Sequence, residues 1–488
     1  DGWNNYNTDK YNVYNEDYSG ETYNKDGFWE FNSKFPNGLT KPSDLTDRFA
    51  SHFGVWLGPR GGYVTPSQFG KVIEDAKNGY FNAQANDVDV GSKRYIEKLD
   101  AFLSNWISEY KVNYLKLDGF AFNACSNESH DHMVGGPSGV YYYTDLWERY
   151  LDVFEHFREV AEVNEIRDFW ISITSYVNPS PFHLQWANSV WIQVSDDIGY
   201  VKVSENDGYS DQMLNYRDGC YFNFYDRYQF QFPSKCLYNH DPIYGKANTP
   251  LQNSLSNDCF RTFLYFCAAR GNAFTEMYYT YSMLDEGDKW YINSEVLKWT
   301  QNRFDVLQHS QRFGGDPRRG EVYGYSAWNE KSGTIAIRNP SNNETKYTLK
   351  IDHEIGVPEN IGKTYRKTVI SHKSETPFDN EGGEVNYNDQ IVFNLKPKEV
   401  KVIDFIETKD NEPPRVEVCR ALSNQRVLVR FNKRIVKKKE NFEIDNLEIK
   451  NVSIKADKRT VIIRTSPMEK DKKYELELED LSDQFGNK

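Results

Sequence analysis

The feature that most constrains this chain is a change of period partway along it. Up to about residue 304, helical patterns alternate with short apolar runs, whereas from about Asp305 the helical signal stops. In the first part, Pro42-Ser43-Asp44-Leu45 opens a capped helix reaching about His52, and Phe53 to Gly58 follows as a strand. Ser92 to Tyr110 places Ile96, Leu99, Phe102, Leu103, Trp106 and Ile107 on one helical face. The strand Asn113 to Asp118 comes next, then a helix from about Thr144 to Val163, then strands at Phe169 to Thr174 and Ser189 to Val194. Gly199 to Pro250 reads as a long aromatic insertion, and loops of that length are usually functional. Helices at Ser254 to Arg270 and Ile292 to Arg303 close the series. Such alternation marks an α/β barrel or a doubly wound sheet. Polar residues recur where strands end, which favours a (β/α)8 TIM barrel, since barrel sites sit at the C-terminal strand ends.

After Asp305 the strands Val322 to Trp328, Gly333 to Arg338, Thr345 to Ile351, Ile391 to Leu395 and Val400 to Phe405 read as an antiparallel β-sandwich. The acidic, proline-containing linker Glu407 to Pro414 precedes a last all-β segment with strands at Arg426 to Phe431, Thr460 to Arg464 and Lys473 to Leu478. The expected division is a barrel over 1–304, a β-sandwich over 305–406 and an immunoglobulin-like module over 407–488. That module points to an extracellular or cell-surface bacterial protein. The chain opens on Asp1-Gly2-Trp3 without an initiator Met, as an excised piece or a mature fragment does.

The formal net charge is −13, with acids and bases interleaved and no long basic run, which argues against nucleic acid or an anionic membrane as the main partner. No stretch approaches the ~18 apolar residues of a membrane span. Aromatic residues make up 15% of the chain, including 34 Tyr and 11 Trp, and aromatic faces suit the C–H faces of sugars. A large aromatic core accounts for much of that number as well. The six Cys show no metal spacing; Cys220 and Cys236 flank an aromatic loop and can pair outside the cell, and a reduced, buried fate fits them equally.

Chemistry concentrates on Asn113-Tyr-Leu-Lys116-Leu-Asp118-Gly119. Residues two apart on a strand share a face, so Lys116 lies on the side of Asp118 and favours its ionised form. An ionised carboxylate at a barrel mouth can attack a carbon electrophile; a structural ion pair capping the strand is the other reading. Asp196, in Val194-Ser195-Asp196-Asp197-Ile198, can act as an acid, because adjacent carboxylates disfavour double ionisation. The same tripeptide also suits a helix N-cap. His130, Asp131 and His132 lack a third ligand at helical spacing, so the loop Asn123 to Gly139 reads as solvated or substrate-lining, with no metal and no cofactor.

The order of motifs resembles α-galactosidases of the melibiase type, glycoside hydrolase family 36, with clan relatives in families 27 and 31. Asp1-Gly-Trp3 resembles the end of the family's first barrel strand, and Gly54-Val-Trp56-Leu-Gly-Pro59 resembles its Gly-Leu-Trp segment. Leu115-Lys116-Leu117-Asp118 matches the nucleophile strand, and Trp191-Ile-Gln-Val-Ser195-Asp196 is similar to the acid/base strand. Asn239-His240-Asp-Pro242, Arg270-Gly-Asn-Ala-Phe274, Gly324 to Trp328 and Arg338-Asn-Pro340 follow in the same order, covering roughly the first 405 residues. The resemblance implies a retaining exo-α-glycosidase with Asp118 as nucleophile and Asp196 as acid/base, Asp197 being the alternative one position on. It implies that Lys116 holds a sugar hydroxyl, that Asp1 binds the hydroxyls distinguishing galactose from glucose, and that Trp3 and Trp56 wall the pocket. Arg60 stands at the rim, and Tyr176 and Trp191 contact substrate.

One departure bears on the substrate. The family's Cys-x-x-Gly-Gly turn, which contacts the sugar at C2, is replaced by Ile173-Thr174-Ser175-Tyr176-Val177-Asn178-Pro179. A changed contact there suits an acetamido or amino group, so an α-N-acetylgalactosaminide or α-galactosaminide is expected ahead of an α-galactoside. The expected partner is an oligosaccharide or glycoconjugate. A transglycosylase with the same carboxylates and an inactive carbohydrate-binding barrel are the rival readings.

Overall fold

A computed structural model of the chain describes residues 31, 35–49, 51–59, 77, 79–119, 123–174, 179–193, 195–245, 255–359, 365–371, 384–407, 413–433, 435–436, 441–455 and 459–483. The chain divides into two compact units, residues 1–194 with 236–238 and residues 195–235 with 239–488. Among the described residues no helix is long and apolar enough to cross a membrane.

In the first unit the helix Lys93–Tyr110 buries Tyr95, Ile96, Leu99, Leu103, Trp106 and Ile107, the stripe its 3.6-residue period predicts. Lys111 ends it in the left-handed conformation at φ 57°, turning the chain directly into a strand. The helix Val140–Val163 begins four residues before the expected Thr144. Strands β1 (Phe53–Leu57), β4 (Val112–Asp118), β5 (Trp170–Thr174), β6 (Ser189–Trp191) and β7 (Leu237–Tyr238) form one parallel sheet in the order β1-β4-β5-β6-β7. A small antiparallel hairpin, β2 (Phe81–Asn82) with β3 (Asp87–Val88), lies between β1 and β4 in sequence. This is an α/β unit with an open parallel order among the described residues; the closed eight-stranded barrel expected from the sequence is not among them.

The register sorts this sheet into two unlike faces. Val55, Leu57, Leu115, Leu117, Ile171, Ile173, Val190 and Leu237 pair across the ladders and are all at most 4% exposed. The opposite face carries Trp56, Lys116, Asp118, Ser172, Thr174, Ser189, Trp191 and Tyr238. Thr174 of β5 meets the Tyr238 hydroxyl of β7 at 2.6 Å, and the Lys116 ammonium of β4 lies 5.4 Å from the Tyr238 ring centre.

Gly199 to Pro250, expected as a long loop, holds a 14-residue helix, Tyr209–Phe222. Gln212, Asn215, Arg217 and Asp218 of that helix are all buried, so the apolar stripe by which sequence betrays a helix is missing. Their polar groups have partners instead: Asp218 accepts from the Tyr323 and Tyr325 hydroxyls at 2.7 and 2.6 Å and from Arg270 Nε at 2.8 Å. Arg338 reaches Asn215 at 2.7 Å and Asp211 at 2.9 Å. A parallel pair, β8 (Ile243–Tyr244) with β9 (Tyr278–Tyr279), follows. The helix Asn257–Ala269 is capped by the Ser256 hydroxyl, which accepts from the Cys259 N–H, and Lys289–Leu307 is the last long helix. Cys220 and Cys236 are free thiols, Cys220 buried.

Beyond it, β10 (Gln311–Gly314), β11 (Tyr323–Trp328), β12 (Ser332–Arg338), β14 (Tyr365–Ser371), β15 (Glu384–Val385) and β17 (Val400–Glu407) form a six-stranded sheet, and β13 (Thr345–Lys350) pairs with β16 (Gln390–Leu395). Both faces of the larger sheet are covered. Ile335, Ile337, Ile403 and Phe405 pack on Leu349, Ile391, Phe393 and Leu395 of the smaller pair, giving the expected sandwich core. Tyr323, Tyr325, Ala336, Val400 and Val402 pack on Phe263, Leu264, Phe266 and Val296 of the two helices. This is why β11 is buried along its whole length. The last segment forms a four-stranded antiparallel sheet of Val416–Ser423, Arg426–Phe431, Thr460–Thr465 and Ile449–Ile454, in that spatial order, over a core of Val429, Phe431, Val461 and Ile463.

Candidate active site

In the first unit the parallel strands bring Trp56, Asp118, Thr174, Trp191 and Tyr238 to their C-terminal ends. Asp118 is the last residue of β4 and only 9% exposed. The Trp56 indole N–H donates to its Oδ2 at 3.2 Å, across the β1–β4 ladder. Lys116 is buried on the same face, two residues before it, with its ammonium over the Tyr238 ring. Trp191 stands edge-on to that ring at 5.5 Å. This is a carboxylate that accepts from an indole N–H and stands among three aromatic rings and a cation, an arrangement suited to a polar ligand with C–H faces.

Asp196 and Asp197 belong to the second unit, and both are exposed. No helix starts at Ser195, so the N-cap reading of Ser195-Asp196-Asp197 fails; the next helix begins at Tyr209. The turn is fixed through its backbone. Arg217, almost fully buried, donates to the Ser195 hydroxyl at 2.6 Å and to the Asp196 and Asp197 carbonyls at 3.1 and 2.5 Å. The Asp196 N–H donates to the Tyr216 hydroxyl at 2.7 Å. The two carboxylates differ. His240 Nε2 lies 3.3 Å from Asp197 Oδ1 while its Nδ1 meets Glu276, a carboxylate–imidazole–carboxylate chain. Among the described residues no hydrogen bond or ion pair holds the Asp196 carboxylate.

His240, Glu276, Arg217 and Arg270 carry no role in the sequence reading. The segments Asn239 to Pro242 and Arg270 to Phe274 mark the neighbourhood, and the structure joins them: Arg270 Nη1 reaches Asp241 at 2.6 Å. Asp1, Trp3, Arg60 and Tyr176 lie outside the described residues. The loop of His130, expected to be solvated or substrate-lining, turns inward. His132 is 7% exposed, and Asp131 pairs with Arg149 at 2.7 Å. Burial disfavours the charged form of His132, but its bond to Asp89 outweighs burial and lifts its pKa to about 10.

No family model matches the sequence, and no curated protein matches it. Similar solved structures include a GH36 α-galactosidase from Geobacillus stearothermophilus in complex with stachyose, at 13% identity and TM-score 0.49 over 78% of this chain and 48% of that one. A GH27 β-L-arabinopyranosidase from the same organism matches at 11% identity and TM-score 0.44, over 77% of this chain and 78% of that one. A maltogenic α-amylase from Thermotoga neapolitana matches at 13% identity and TM-score 0.44, over 78% and 84%. Likeness at this level leaves function to be argued from the residues of this chain.

Proposed function

We propose that this chain is a retaining exo-α-glycosidase for terminal galactose-configured sugars. The observation that carries the reading is Asp118: a nearly buried carboxylate at a parallel strand end, bonded by the Trp56 indole, with Lys116 and Tyr238 on the same polar face. Asp118 is the nucleophile and Asp196 the acid/base, since of the two exposed carboxylates Asp197 is the one engaged by His240. Lys116 serves a sugar hydroxyl; Trp3, Trp56 and Trp191 wall the sugar; Asp1, Arg60 and Tyr176 add further contacts. The replaced turn after Ile173 favours an N-acetylgalactosaminide or galactosaminide over a galactoside. Residues 1–304 form the catalytic part, 305–406 a sandwich and 407–488 an immunoglobulin-like module, in a protein working outside the bacterial cell.

The test is hydrolysis of chromogenic α-glycosides of galactose, N-acetylgalactosamine and galactosamine, with NMR of the first-formed anomer. Release of the α-anomer from one of them supports the reading and fixes the C2 substituent. A β-anomer as first product overturns retention, and turnover unchanged by Asp118→Ala overturns the nucleophile.

A further inference from the structure

Four donors of metal-binding type converge in the first unit away from Asp118. Asp89 follows β3, and Cys125, His130 and His132 lie on the loop after β4. One ligand atom from each lies within 4.8 Å of every other. Asp89 Oδ2 is 2.7 Å from His130 Nδ1 and 2.9 Å from His132 Nε2, and Cys125 Sγ is 3.5 Å from His130 Nδ1. Asp89, Cys125 and His132 are buried.

We propose that Asp89, Cys125, His130 and His132 form a closed, structural site for one Zn²⁺ ion. The donor set is the first reason: one thiolate, two imidazoles and one carboxylate is the mixed sulfur, nitrogen and oxygen set that tetrahedral zinc accepts. The second is the shell around it. His132 presents Nε2 inward while its Nδ1 faces the Met133 carbonyl at 3.1 Å, the outer hydrogen bond that fixes a ligating tautomer. The outer oxygen of Asp89, Oδ1, accepts from the Tyr142 hydroxyl at 3.0 Å and the Gly91 N–H at 3.2 Å, leaving Oδ2 to the centre.

Zinc bond lengths of ~2.0–2.3 Å imply donor separations of ~3.3–3.8 Å around a tetrahedron. The separations of 2.7, 2.9 and 3.5 Å lie below or within that range and the others within 4.8 Å, so side-chain shifts of up to about 1 Å complete the coordination. Four protein donors leave no position for a substrate or water, so the ion is structural. It ties the hairpin end of Asp89 to the loop that follows the Asp118 strand.

The sequence hid this site because its donors follow no common spacing: Cys125, His130 and His132 sit on one loop and Asp89 far upstream.

The test uses the whole chain, expressed with zinc and purified without a chelator or a polyhistidine tag. Elemental analysis is expected to give about one zinc per chain, and replacement by Co²⁺ a thiolate-to-cobalt charge-transfer band. Cys125→Ser is expected to lose that band, and His132→Gln to lower zinc content several-fold. Stripping the ion is expected to lower the melting temperature, with Zn²⁺ restoring it and Mg²⁺ not. Zinc well below one equivalent in the folded wild-type chain, with no cobalt band, overturns the proposal and leaves an Asp89–His132 ion pair. Since both readouts come from the wild-type chain, a variant that fails to fold does not spoil the test.

Discussion

Trp56 and Asp118 are joined across the β1–β4 ladder by an indole N–H at 3.2 Å from the carboxylate, and this bond fixes which oxygen faces the neighbouring strand. On the proposed mechanism, Asp118→Ala is expected to cut kcat/KM by ~10⁴-fold or more, because the proposed nucleophile and its covalent intermediate would vanish together. Trp56→Phe keeps the ring and removes the donor. A lost hydrogen bond to a charged group is worth ~1.5–3 kcal/mol, so roughly ten- to hundred-fold in rate is expected. Steady-state kinetics on the aryl glycoside that is turned over checks both.

Asp196 and Asp197 separate experimentally. Asp196→Ala is expected to lower turnover by ~10²–10⁴-fold for sugar leaving groups and far less for an aryl group that departs unprotonated. Asp197→Ala leaves the acid in place and disturbs only the His240 contact, so a smaller loss with both leaving groups is expected. The reverse pattern would move the acid/base one residue along.

Asp218 is the hub between the Tyr209–Phe222 helix and β11. Fully buried, it receives two tyrosine hydroxyls and Arg270. Asp218→Ala strands the Arg270 charge next to Asp241 alone and is expected to cost ~3–5 kcal/mol. Denaturant unfolding measures it; a loss below ~1 kcal/mol would show that the hub is dispensable.

Asp207 supplies a pH dependence. Burial alone would raise its carboxyl pKa, but the Lys398 ammonium at 2.5 Å, the Ser204 hydroxyl and the Val203 N–H outweigh burial and hold it below the usual value of 3.8. A depressed pKa contributes stability that is present above the unfolded-state value and lost as pH falls through the folded one. Melting temperatures of the wild type and Asp207→Asn are therefore expected to differ most near neutrality and to converge below about pH 4. A constant gap down to the acid limit would contradict this.

Strand β4, expected at Asn113 to Asp118 and found at Val112–Asp118, was legible to within one residue, because an apolar run closing on Lys-Leu-Asp has few other structures open to it. So was the buried stripe of Lys93–Tyr110. The Tyr209–Phe222 helix was not legible, since its inward residues include Gln212, Asn215, Arg217 and Asp218, and the last three find partners far off in sequence. The same holds for His240 and Glu276: the local motif marks where to look, but a pair 36 positions apart has no period to betray it. Asp89 and Cys125 escaped for the same reason.

The two-faced parallel sheet also limits how this protein can diverge. Inserting or deleting one residue inside Val112–Asp118 would exchange Leu115 and Leu117 for Lys116 and Asp118, putting charge into an aliphatic layer and leucines where the carboxylate stands. Descendants of this chain can therefore trade side chains along the strand, but gains and losses of length belong in the loops beyond the strand ends. New substrate preferences would arise there while the parity beneath them stays fixed.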